Sequence, residues 1–338
     1  MSGIIPESTR ALVIKKCSAE AKPIYHDAVL ETRPLQQLKQ GEVLVKMGAV
    51  SFNHRDLWIR LGQYPGINFG VAFGADGAGT VVASADSNDV LLNKRPDAPE
   101  TERGFGILGG GRNPPLGTFA EYVVVERNQV IRSPDHLDDV QVSAWPLGGL
   151  TAWRAAIVNA EASKDQNILI TGIGGGVALL AMQLCLAKGA SVYVTSGSEE
   201  KIRKATALGA KGGVNYKLKD WPSHLVALLA KNSGKSAKID AVIDSGGGDI
   251  MTQVNSILKQ GGKVVVYGMT ANPQIKFTMR EVLKNQRLIG STMGSLKDLT
   301  DATMFGLEAA EEGFELMKRG DQFGKIVIRI NDKANAKL

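Results

Sequence analysis

The sequence has few cysteines, no long apolar run and no signal-like N-terminus. Of its 338 residues only Cys17 and Cys185 are cysteine, which argues against a disulfide framework and favours a reducing compartment. No stretch of about 18 uninterrupted apolar residues occurs, which argues against a membrane span. Residues 1–10 contain no apolar core segment of the kind found in a secretory signal. We therefore expect a cytoplasmic protein that has no membrane partner.

Dense positive charge is also missing. The formal net charge is +6, but lysines and arginines are scattered along the chain. A nucleic-acid-binding face requires clustered positive charge, so we expect no nucleic-acid partner. Hydrophobic residues make up 43% and charged residues 22% of the chain, a composition typical of a globular protein. A small molecule is the expected partner.

The length predicts two domains, because a single hydrophobic core seldom grows this large. In residues 1–150 short β-rich runs alternate with turns. Strands are predicted at Ala11–Lys15, Glu42–Val50, Gly79–Ala83 and Ala120–Val125. This spacing predicts a β-barrel-like domain, and the polar residues 86–103 predict a surface loop.

From about residue 164 strands alternate with helices that end at glycines. Strands are predicted at Asn167–Thr171, Ser191–Thr195, Gly213–Asn215, Ile239–Asp244 and Lys263–Tyr267. Helices are predicted at Val177–Lys188, Glu199–Leu208, Trp221–Lys231 and Ile250–Lys259. The repeated units predict an α/β domain with a doubly wound parallel sheet. A further strand at Ile289–Met293, a long helix near Asp298–Lys318 and a last strand at Lys325–Ile330 could complete either domain.

A glycine-rich turn, Gly172–Val177, lies between a predicted strand and a predicted helix. Phosphate binding needs backbone N–H groups, no Cβ atom in the way and a helix N-terminus behind them. Gly172 permits the sharp turn, Gly174 and Gly175 allow close approach, and Gly176 or Ala178 allows the helix and strand to pack tightly. In this context the turn predicts a dinucleotide site; the alternative is a purely structural turn.

The end of the next predicted strand distinguishes the two nicotinamide dinucleotides. An NAD site places an acidic residue about 20 residues beyond the glycine turn. Here the strand ends in Ser196-Gly197-Ser198, and no carboxylate occurs before Glu199. Hydroxyl groups followed by Lys201 suit the 2′-phosphate of NADPH. We therefore expect NADPH; the alternative is that the basic residues at 201–204 only solvate a helix face.

Several short segments, taken in order, are specific together although none is specific alone. They are Asn53-His54-Arg55-Asp56-Leu57, Tyr64-Pro65-Gly66, Gly74–Gly79, Gly117–Tyr122, Leu150-Thr151-Ala152, the glycine turn, Asn215-Tyr216 and Phe323-Gly324-Lys325. Over nearly its whole length the chain resembles the medium-chain dehydrogenase/reductase superfamily, close to its zinc-free quinone oxidoreductase branch.

The resemblance implies a domain division and further cofactor contacts. It implies a chaperonin-10-like β-barrel domain at 1–154 with 290–338, a Rossmann domain at 155–289, and a homodimer. Tyr216 and Lys201 would join the 2′-phosphate site, and Thr151 would face the nicotinamide amide. The other implied cofactor-binding residues are Gly197, Tyr267, Gly268, Met293, Gly294 and Lys325.

The residues that bind catalytic zinc in this superfamily are not present in this sequence. Zinc-dependent members have a cysteine where Asn53 stands, a histidine where Ala75 stands and a later cysteine near Gly148-Gly149. None of these is present here, and of the residues usually found around that zinc only Asp76 remains. Because catalytic zinc needs three protein ligands, we expect the chain to bind no zinc.

Without a metal, hydride transfer from NADPH to an already electrophilic acceptor is the easiest chemistry, which favours quinones and α,β-unsaturated carbonyls. Asn53 and Tyr64 are candidates to stabilise the developing charge on the acceptor oxygen. Asn53 fits a turn-forming position equally well, and Tyr64 also fits a packed aromatic residue. Trp58 and Arg112, the latter in the segment 104–116, are expected to shape the substrate pocket.

Two other functions are compatible with the glycine turn. One is a metal-independent alcohol or aldehyde dehydrogenase. The other is a catalytically idle NADPH-binding protein with a structural or regulatory role.

Overall fold

The computed structural model describes residues 5–20, 22–85, 107–112, 115–293, 302–306 and 324–330. The chain divides into two compact units. The first unit is Met1–Pro146 with Leu299–Leu338, and the second is Leu147–Asp298. The nucleotide domain expected at 155–289 lies inside the second unit, which extends beyond it at both ends. Among the described residues, no helix is long and apolar enough to cross a membrane.

Most predicted strands and helices are present, with small differences at their ends. Within the described residues the strands are β1 (Ser8–Lys15), β2 (Asp27–Pro34), β3 (Glu42–Ser51), β4 (Asp76–Ser84), β5 (Tyr122–Glu126), β6 (Asn167–Ile170), β7 (Ser191–Ser196), β8 (Gly212–Asn215), β9 (Ile239–Asp244), β10 (Leu258–Val266), β11 (Arg287–Gly290), β12 (Ala302–Gly306) and β13 (Lys325–Arg329). The helices of the same residues are α1 (His54–Arg60), α2 (Asp139–Ser143), α3 (Pro146–Trp153), α4 (Gly176–Ala187), α5 (Glu199–Ala207), α6 (Trp221–Ser233), α7 (Ile250–Val254) and α8 (Met279–Val282), with a 3₁₀ turn at Arg127–Gln129 and a π-helical segment at Arg154–Asn159.

The first unit is built from two groups of paired strands. β1 pairs antiparallel with β2, and β3 pairs antiparallel with β4, β5 and β13. β12 lies parallel to β13 on the far side. The C-terminal strand β13 therefore completes the first unit, which the sequence had left open. The four strands predicted for this region are confirmed as β1, β3, β4 and β5.

The core of the first unit fixes the position of α1. Phe52 and Phe119 are buried and pack edge to face, with ring centroids 5.0 Å apart. Leu57 and Ile59 of α1 are buried in the same cluster. Burying these apolar side chains anchors the helix, so that the polar residues at its start are held against the core.

The second unit contains a six-stranded parallel sheet in the order β11-β10-β9-β6-β7-β8. All four residues of β6 are buried, as expected for a parallel strand covered on both faces. From β6 the chain runs outward to β7 and β8, then returns to β9 on the opposite side. The carboxyl ends of β6 and β9 thus form a topological switch point, where such sheets bind nucleotides.

The helix predicted at Ile250–Lys259 is wrong in its second half. α7 ends at Val254, and Leu258 and Lys259 already belong to β10. The glycine pair at 261–262 interrupts a strand: the register with β9 shifts between Leu258 and Lys263. A glycine with positive φ, here +73° at Gly261, serves a β-bulge as readily as a helix end.

Two predictions near the C-terminus also need correction. The strand expected at Ile289–Met293 is β11, which ends at Gly290, and Met293 has a positive φ of +50°. The helix expected near Asp298–Lys318 contains strand β12 at Ala302–Gly306, and its other residues lie outside the described ranges. Pairing of β12 with β13 supplies backbone hydrogen bonds that outweigh the local helical pattern.

Candidate functional site

The glycine turn after β6 has a backbone that other residues would not tolerate. Gly172 and Gly174 have φ of +66° and +117°. A Cβ atom on Gly174 would stand 2.6 Å from Cδ of Lys201. Gly175, the N-cap of α4, has no side chain to cap the first N–H groups of that helix. Those donors, at Gly176 and Val177, fit the pyrophosphate of a dinucleotide.

At the end of β7 the structure brings together the residues expected to contact a 2′-phosphate. A Cβ atom on Gly197 would stand 2.9 Å from Oη of Tyr216, so the tyrosine covers this glycine. Ser198 caps α5 and accepts a hydrogen bond from the N–H of Lys201 at 3.5 Å. The Ser198 N–H in turn donates to Oγ of Ser196 at 3.3 Å. The Lys201 stem lies over Gly174, which links this group to the glycine turn.

Sequence reasoning missed one basic residue of this group. Cε of Lys217 lies 2.8 Å from the place of a Cβ on Gly197, and the side chain is exposed. Its position directly after Asn215-Tyr216 was the available signal. Lys204, by contrast, forms an exposed ion pair with Glu200 at 2.8 Å on the surface of α5. The Glu199 carboxylate accepts a hydrogen bond from Nδ2 of Asn215 at 3.0 Å.

Polar residues at the ends of β6 and β9 also went unnoticed in the sequence. Thr171 donates its hydroxyl to Oδ1 of Asp244 at 2.6 Å, and the N–H of Gly247 donates to Oδ2 at 2.6 Å. Burial raises the pKa of Asp244, while these hydrogen bonds work in the opposite direction. A Cβ on Gly172 would stand 2.5 Å from Oγ of Ser245, so this cluster lies against the glycine turn.

The expected residues after β10 lie beside the same cluster. The N–H of Tyr267 donates to the carbonyl of Asp244 at 3.0 Å. Tyr267 is half-buried, but its hydroxyl is removed from water, which raises the pKa of the phenol, and nearby Asp244 adds to the effect. A Cβ on Gly268 would stand 2.7 Å from the carbonyl oxygen of Ser245, so only glycine fits there.

Thr151 is buried on α3 and its hydroxyl already has a partner. It donates to the carbonyl of Leu147 at 2.7 Å, and Sδ of Met293 lies 3.8 Å from the same oxygen. The structure therefore brings Thr151 and Met293 together. Gly294 lies outside the described residues.

In the first unit a buried polar network joins the start of α1 to β4 and β13. Oδ2 of Asp76 accepts hydrogen bonds from Nζ of Lys325 at 2.8 Å, Nδ2 of Asn53 at 2.8 Å and Oγ of Ser51 at 3.1 Å. Nζ of Lys325 also donates to Oδ1 of Asn53 at 2.6 Å. None of these four side chains is more than 7% exposed. A buried lysine and a buried aspartate thus neutralise each other beside Asn53.

The other predicted pocket residues lie on α1, just after it and in the 107–112 segment. The rings of His54 and Trp58 pack edge to face, with centroids 4.9 Å apart, and burial lowers the pKa of His54. Tyr64 stacks against the guanidinium of Arg55, whose Cζ lies 4.7 Å from the ring centroid. Arg112 is exposed, and of its surroundings only residues 107–112 and 115–116 belong to the described ranges.

Comparison with known proteins decides the family. Residues 39–135 match the family model "Alcohol dehydrogenase GroES-like domain", and residues 176–307 match "Zinc-binding dehydrogenase". The "Zinc-type alcohol dehydrogenase-like protein YogA" of Leptosphaeria maculans is 35% identical, covering 94% of this chain and 99% of its own. The chain belongs to the medium-chain dehydrogenase/reductase superfamily. This is a superfamily of oxidoreductases.

Solved structures agree with the fold expected for the superfamily. A structure titled "NAD-dependent alcohol dehydrogenase" has a TM-score of 0.79 and 28% identity, covering 95% of this chain and 100% of that one. The crotonyl-CoA carboxylase/reductase AntE in complex with NADP has a TM-score of 0.80 over 98% of this chain and 96% of its own. At 19% identity, that second likeness shows the fold alone. The predicted fold class, a GroES-like barrel with a Rossmann-like parallel sheet, is confirmed.

The side chains around Asp76 do not form the kind of site that binds zinc in this superfamily. Asp76 is the one acidic residue of the network, and the ammonium of Lys325 already lies against its Oδ2 atom. Zinc binds anionic or neutral N, O and S donors, and a cation 2.8 Å from the Asp76 carboxylate opposes it. Within the described ranges, no three His, Cys, Asp or Glu side chains are grouped to hold a metal. This donor set does not fit catalytic zinc.

Proposed function

We propose that this chain is an NADPH-dependent oxidoreductase that transfers hydride, without a metal, to a quinone or an α,β-unsaturated carbonyl. The observation that carries the proposal is the contact of Lys325 with Asp76 and Asn53. It supplies a covalently attached cation beside Asn53, the position at which the resemblance implies a cysteine in zinc-dependent members. Simple alcohols and ketones need a Lewis acid more than electrophilic acceptors do.

The NADPH preference is supported by the residues at the end of β7. Ser196 and Ser198 offer hydroxyl groups, and Lys201 and Lys217 offer positive charge. Ser196, Gly197 and Ser198 carry no carboxylate, and that of Glu199 accepts from Nδ2 of Asn215. An acidic residue at the strand end itself would repel a 2′-phosphate and bind the ribose of NADH. A phosphate bound here would gain charge-assisted hydrogen bonds, the strongest that side chains make.

We assign cofactor binding to the glycine turn and stabilisation of the acceptor oxygen to the buried network. The backbone N–H groups of Gly176 and Val177 would hold the pyrophosphate, and bound NADPH would supply the hydride. In the first unit Asn53 is fixed by two neighbours: its Oδ1 accepts from Lys325 and its Nδ2 donates to Asp76. Because an amide nitrogen carries two hydrogens, one N–H of Asn53 remains to stabilise the negative charge on the acceptor oxygen.

Tyr64 is the proposed proton donor to that oxygen. Its ring is held against Arg55, which positions the hydroxyl without consuming it. A phenol that donates its proton as the oxygen becomes negative would complete the reduction. Trp58 and Arg112 are proposed to border the acceptor.

Consumption of NADPH with panels of quinones, enones and simple aldehydes tests the proposal, together with the zinc content of the purified protein. We expect turnover with quinones or enones, little with aldehydes, substoichiometric zinc and no loss of activity after dialysis against a chelator. Stoichiometric zinc with chelator-sensitive activity would refute the proposal. Binding of NADPH without consumption by any acceptor would instead support a catalytically idle binder.

The role of Asn53 has a matched control in Ser51. Both side chains donate to Oδ2 of Asp76, but only Asn53 has a further N–H to offer. We expect Asn53→Ala to lower kcat for enone reduction about a hundredfold, the low end of the loss of an oxyanion donor. Ser51→Ala should leave kcat within about twofold, since it removes one neutral hydrogen bond of the network. An equal loss of kcat in both variants would mean that Asn53 has a structural role only.

A metal-independent alcohol or aldehyde dehydrogenase is the second candidate, favoured by the names of the similar proteins. The 28% identical structure is titled an alcohol dehydrogenase. Oxidation of alcohols by NADP⁺ in chelator-dialysed protein, faster than reduction of enones by NADPH, would favour this activity.

A further inference from the structure

Arg55 is a buried arginine with only part of its guanidinium in use. It lies on α1 and is 6% exposed. Nη1 donates to the carbonyl of Leu108 at 2.8 Å and lies 3.6 Å from Oδ1 of Asp56. The face of the group stacks on Tyr64. Its Nε and Nη2 atoms are buried and have no hydrogen-bond partner.

These two nitrogens form one edge of the guanidinium. Nε–H and one N–H of Nη2 point in the same direction, at the spacing that matches the two oxygens of a carboxylate. A buried donor without a partner loses its hydration and gains nothing in return, and a charged donor loses most. An edge left open in this way is therefore suited to an acidic ligand that is not part of the chain.

Asp56 does not serve as the partner of this edge. Its Oδ2 accepts the N–H of Asn53 at 2.7 Å, and its Oδ1 faces Nη1, on another side of the guanidinium. Oδ1 of Asp56 is itself buried without a hydrogen bond. The adjacent carboxylate thus leaves Nε and Nη2 unsatisfied.

A second buried arginine on the same helix shows the contrast. Arg60 is 4% exposed, and its Cζ lies 4.0 Å from the ring centroid of Tyr25. Its Nε donates to the carbonyl of His26 at 2.8 Å, a structural contact between two segments of the first unit. Burial and aromatic stacking are common to both arginines, but only Arg55 has Nε open.

The open edge belongs to the neighbourhood of the proposed acceptor site. Arg55 lies two residues after Asn53, and both Lys325 and Asp76 act electrostatically on the neighbouring Asp56. Arg55 donates to the carbonyl of Leu108 in the segment 107–110. This segment packs against the residues just before β4, since a Cβ on Gly109 would stand 2.4 Å from the carbonyl oxygen of Gly74. Arg55 therefore adjoins both proposed catalytic residues: its guanidinium stacks on Tyr64, and the neighbouring Asp56 accepts the N–H of Asn53.

The geometry points to Arg55 as the residue that binds a carboxylate of the acceptor through its Nε–Nη2 edge, so that the preferred substrate is an acidic enone or quinone. This inference rests on the proposed function and narrows its substrate class. Both nitrogens are closed to solvent, so the carboxylate reaches them when the packing beside them opens. Because the guanidinium is already dehydrated, binding regains hydrogen bonds without a new dehydration cost for the arginine.

A matched pair of acceptors tests the inference: 4-oxopent-2-enoate and its methyl ester, which share the enone and differ in charge. We expect wild-type protein to reduce the acid with a kcat/KM about tenfold to a hundredfold higher than the ester, the range for hydrogen bonds between charged groups. Arg55→Lys keeps the charge but cannot make the bidentate contact. It should bring this ratio near unity by raising KM for the acid. Arg60→Lys, the matched control, should leave the ratio unchanged.

The ratio is measured within each variant, so partial loss of folded protein does not affect it. A wild-type ratio near unity, or a ratio unchanged in Arg55→Lys, would overturn the inference while reduction of the ester upholds the proposed function. If neither acceptor is reduced, the proposed function fails and calorimetry decides the inference separately. Wild-type protein should then bind unreactive 4-oxopentanoate and not its methyl ester, and equal binding or none would overturn it.

Discussion

Nζ of Lys325 lies 2.8 Å from Oδ2 of Asp76, although the two residues are 249 positions apart in the chain. Strand β13 brings the lysine to β3, and β4 brings the aspartate from the other side. A buried carboxylate needs a compensating charge, and here a side chain supplies it. The relationship explains how the barrel unit of a superfamily with zinc-binding members can keep an acidic residue in its interior.

Removing Lys325 should destabilise the protein strongly. Lys325→Met leaves Asp76 charged and buried, which costs about 3–5 kcal/mol. The double variant Asp76→Asn/Lys325→Met should recover most of the loss, because no uncompensated charge remains. Urea-induced unfolding measures both. Lys15→Met, which breaks a half-exposed pair with Glu31, serves as control and should cost less than about 1 kcal/mol. If Lys325→Met lost as little stability as Lys15→Met, the buried ion pair would be contradicted.

Lys201 should select for the phosphate of NADPH. Lys201→Ala removes a charge-assisted contact of about 1.5–3 kcal/mol, so KM for NADPH should rise about tenfold to a hundredfold. KM for NADH, which has no 2′-phosphate, should stay unchanged. Lys204→Ala is the control, since that lysine pairs with Glu200 on the helix surface. An equal rise for both cofactors in Lys201→Ala would refute the phosphate role.

Gly174 should tolerate no side chain. Gly174→Ala combines a φ of +117°, which L-residues rarely adopt, with a Cβ placed 2.6 Å from Lys201. We expect the variant to bind NADPH more weakly than the wild-type protein, as measured by fluorescence titration. Gly261→Ala has a similar backbone problem, at φ +73°, but nothing lies within 4 Å of its Cβ. It should lose some stability, on the order of 1–2 kcal/mol, and keep its NADPH affinity. Unimpaired binding in Gly174→Ala would mean that the turn does not hold the pyrophosphate.

Asp56 should make stability fall with rising pH. Burial raises the pKa of this carboxyl from 3.8 to about 6, against the opposing influence of Arg55. The folded chain then holds more protons than the unfolded chain between about pH 4 and 6, so stability is lost as pH rises through that window. The shift corresponds to about 3 kcal/mol. Asp244 changes in the same direction, so the difference between wild type and Asp56→Asn isolates Asp56. Parallel stability–pH curves for the two proteins would contradict the raised pKa.

The parts of the fold that sequence could predict are those with strong local patterns. Strand β9 has the bounds expected from its apolar run, and α4 and α5 end within a residue of their predicted ends. Strand β2 was missed because its residues are mostly exposed or half-buried and its apolar pattern is weak. Its place depends on hydrogen bonds to β1, which no local pattern encodes.

The candidate site also has a part that the local sequence predicts and a part that only the fold brings together. The glycine turn and the serines after β7 follow one another in the chain, so their chemistry could be predicted from spacing. The contact of Lys325 with Asp76, and the open edge of Arg55, depend on segments far apart in sequence meeting in the fold. Asn53 was expected to be either a turn residue or a site residue, and it is both the N-cap of α1 and a member of the buried network.

The most direct test of the central claim is a titration of chelator-dialysed protein with NADPH and with NADH, followed by the fluorescence of the reduced nicotinamide. The account predicts a blue shift on binding NADPH and an affinity at least tenfold weaker for NADH, the loss expected from about 1.4 kcal/mol of phosphate contact. No binding of either nucleotide, or equal affinity for both, would contradict it.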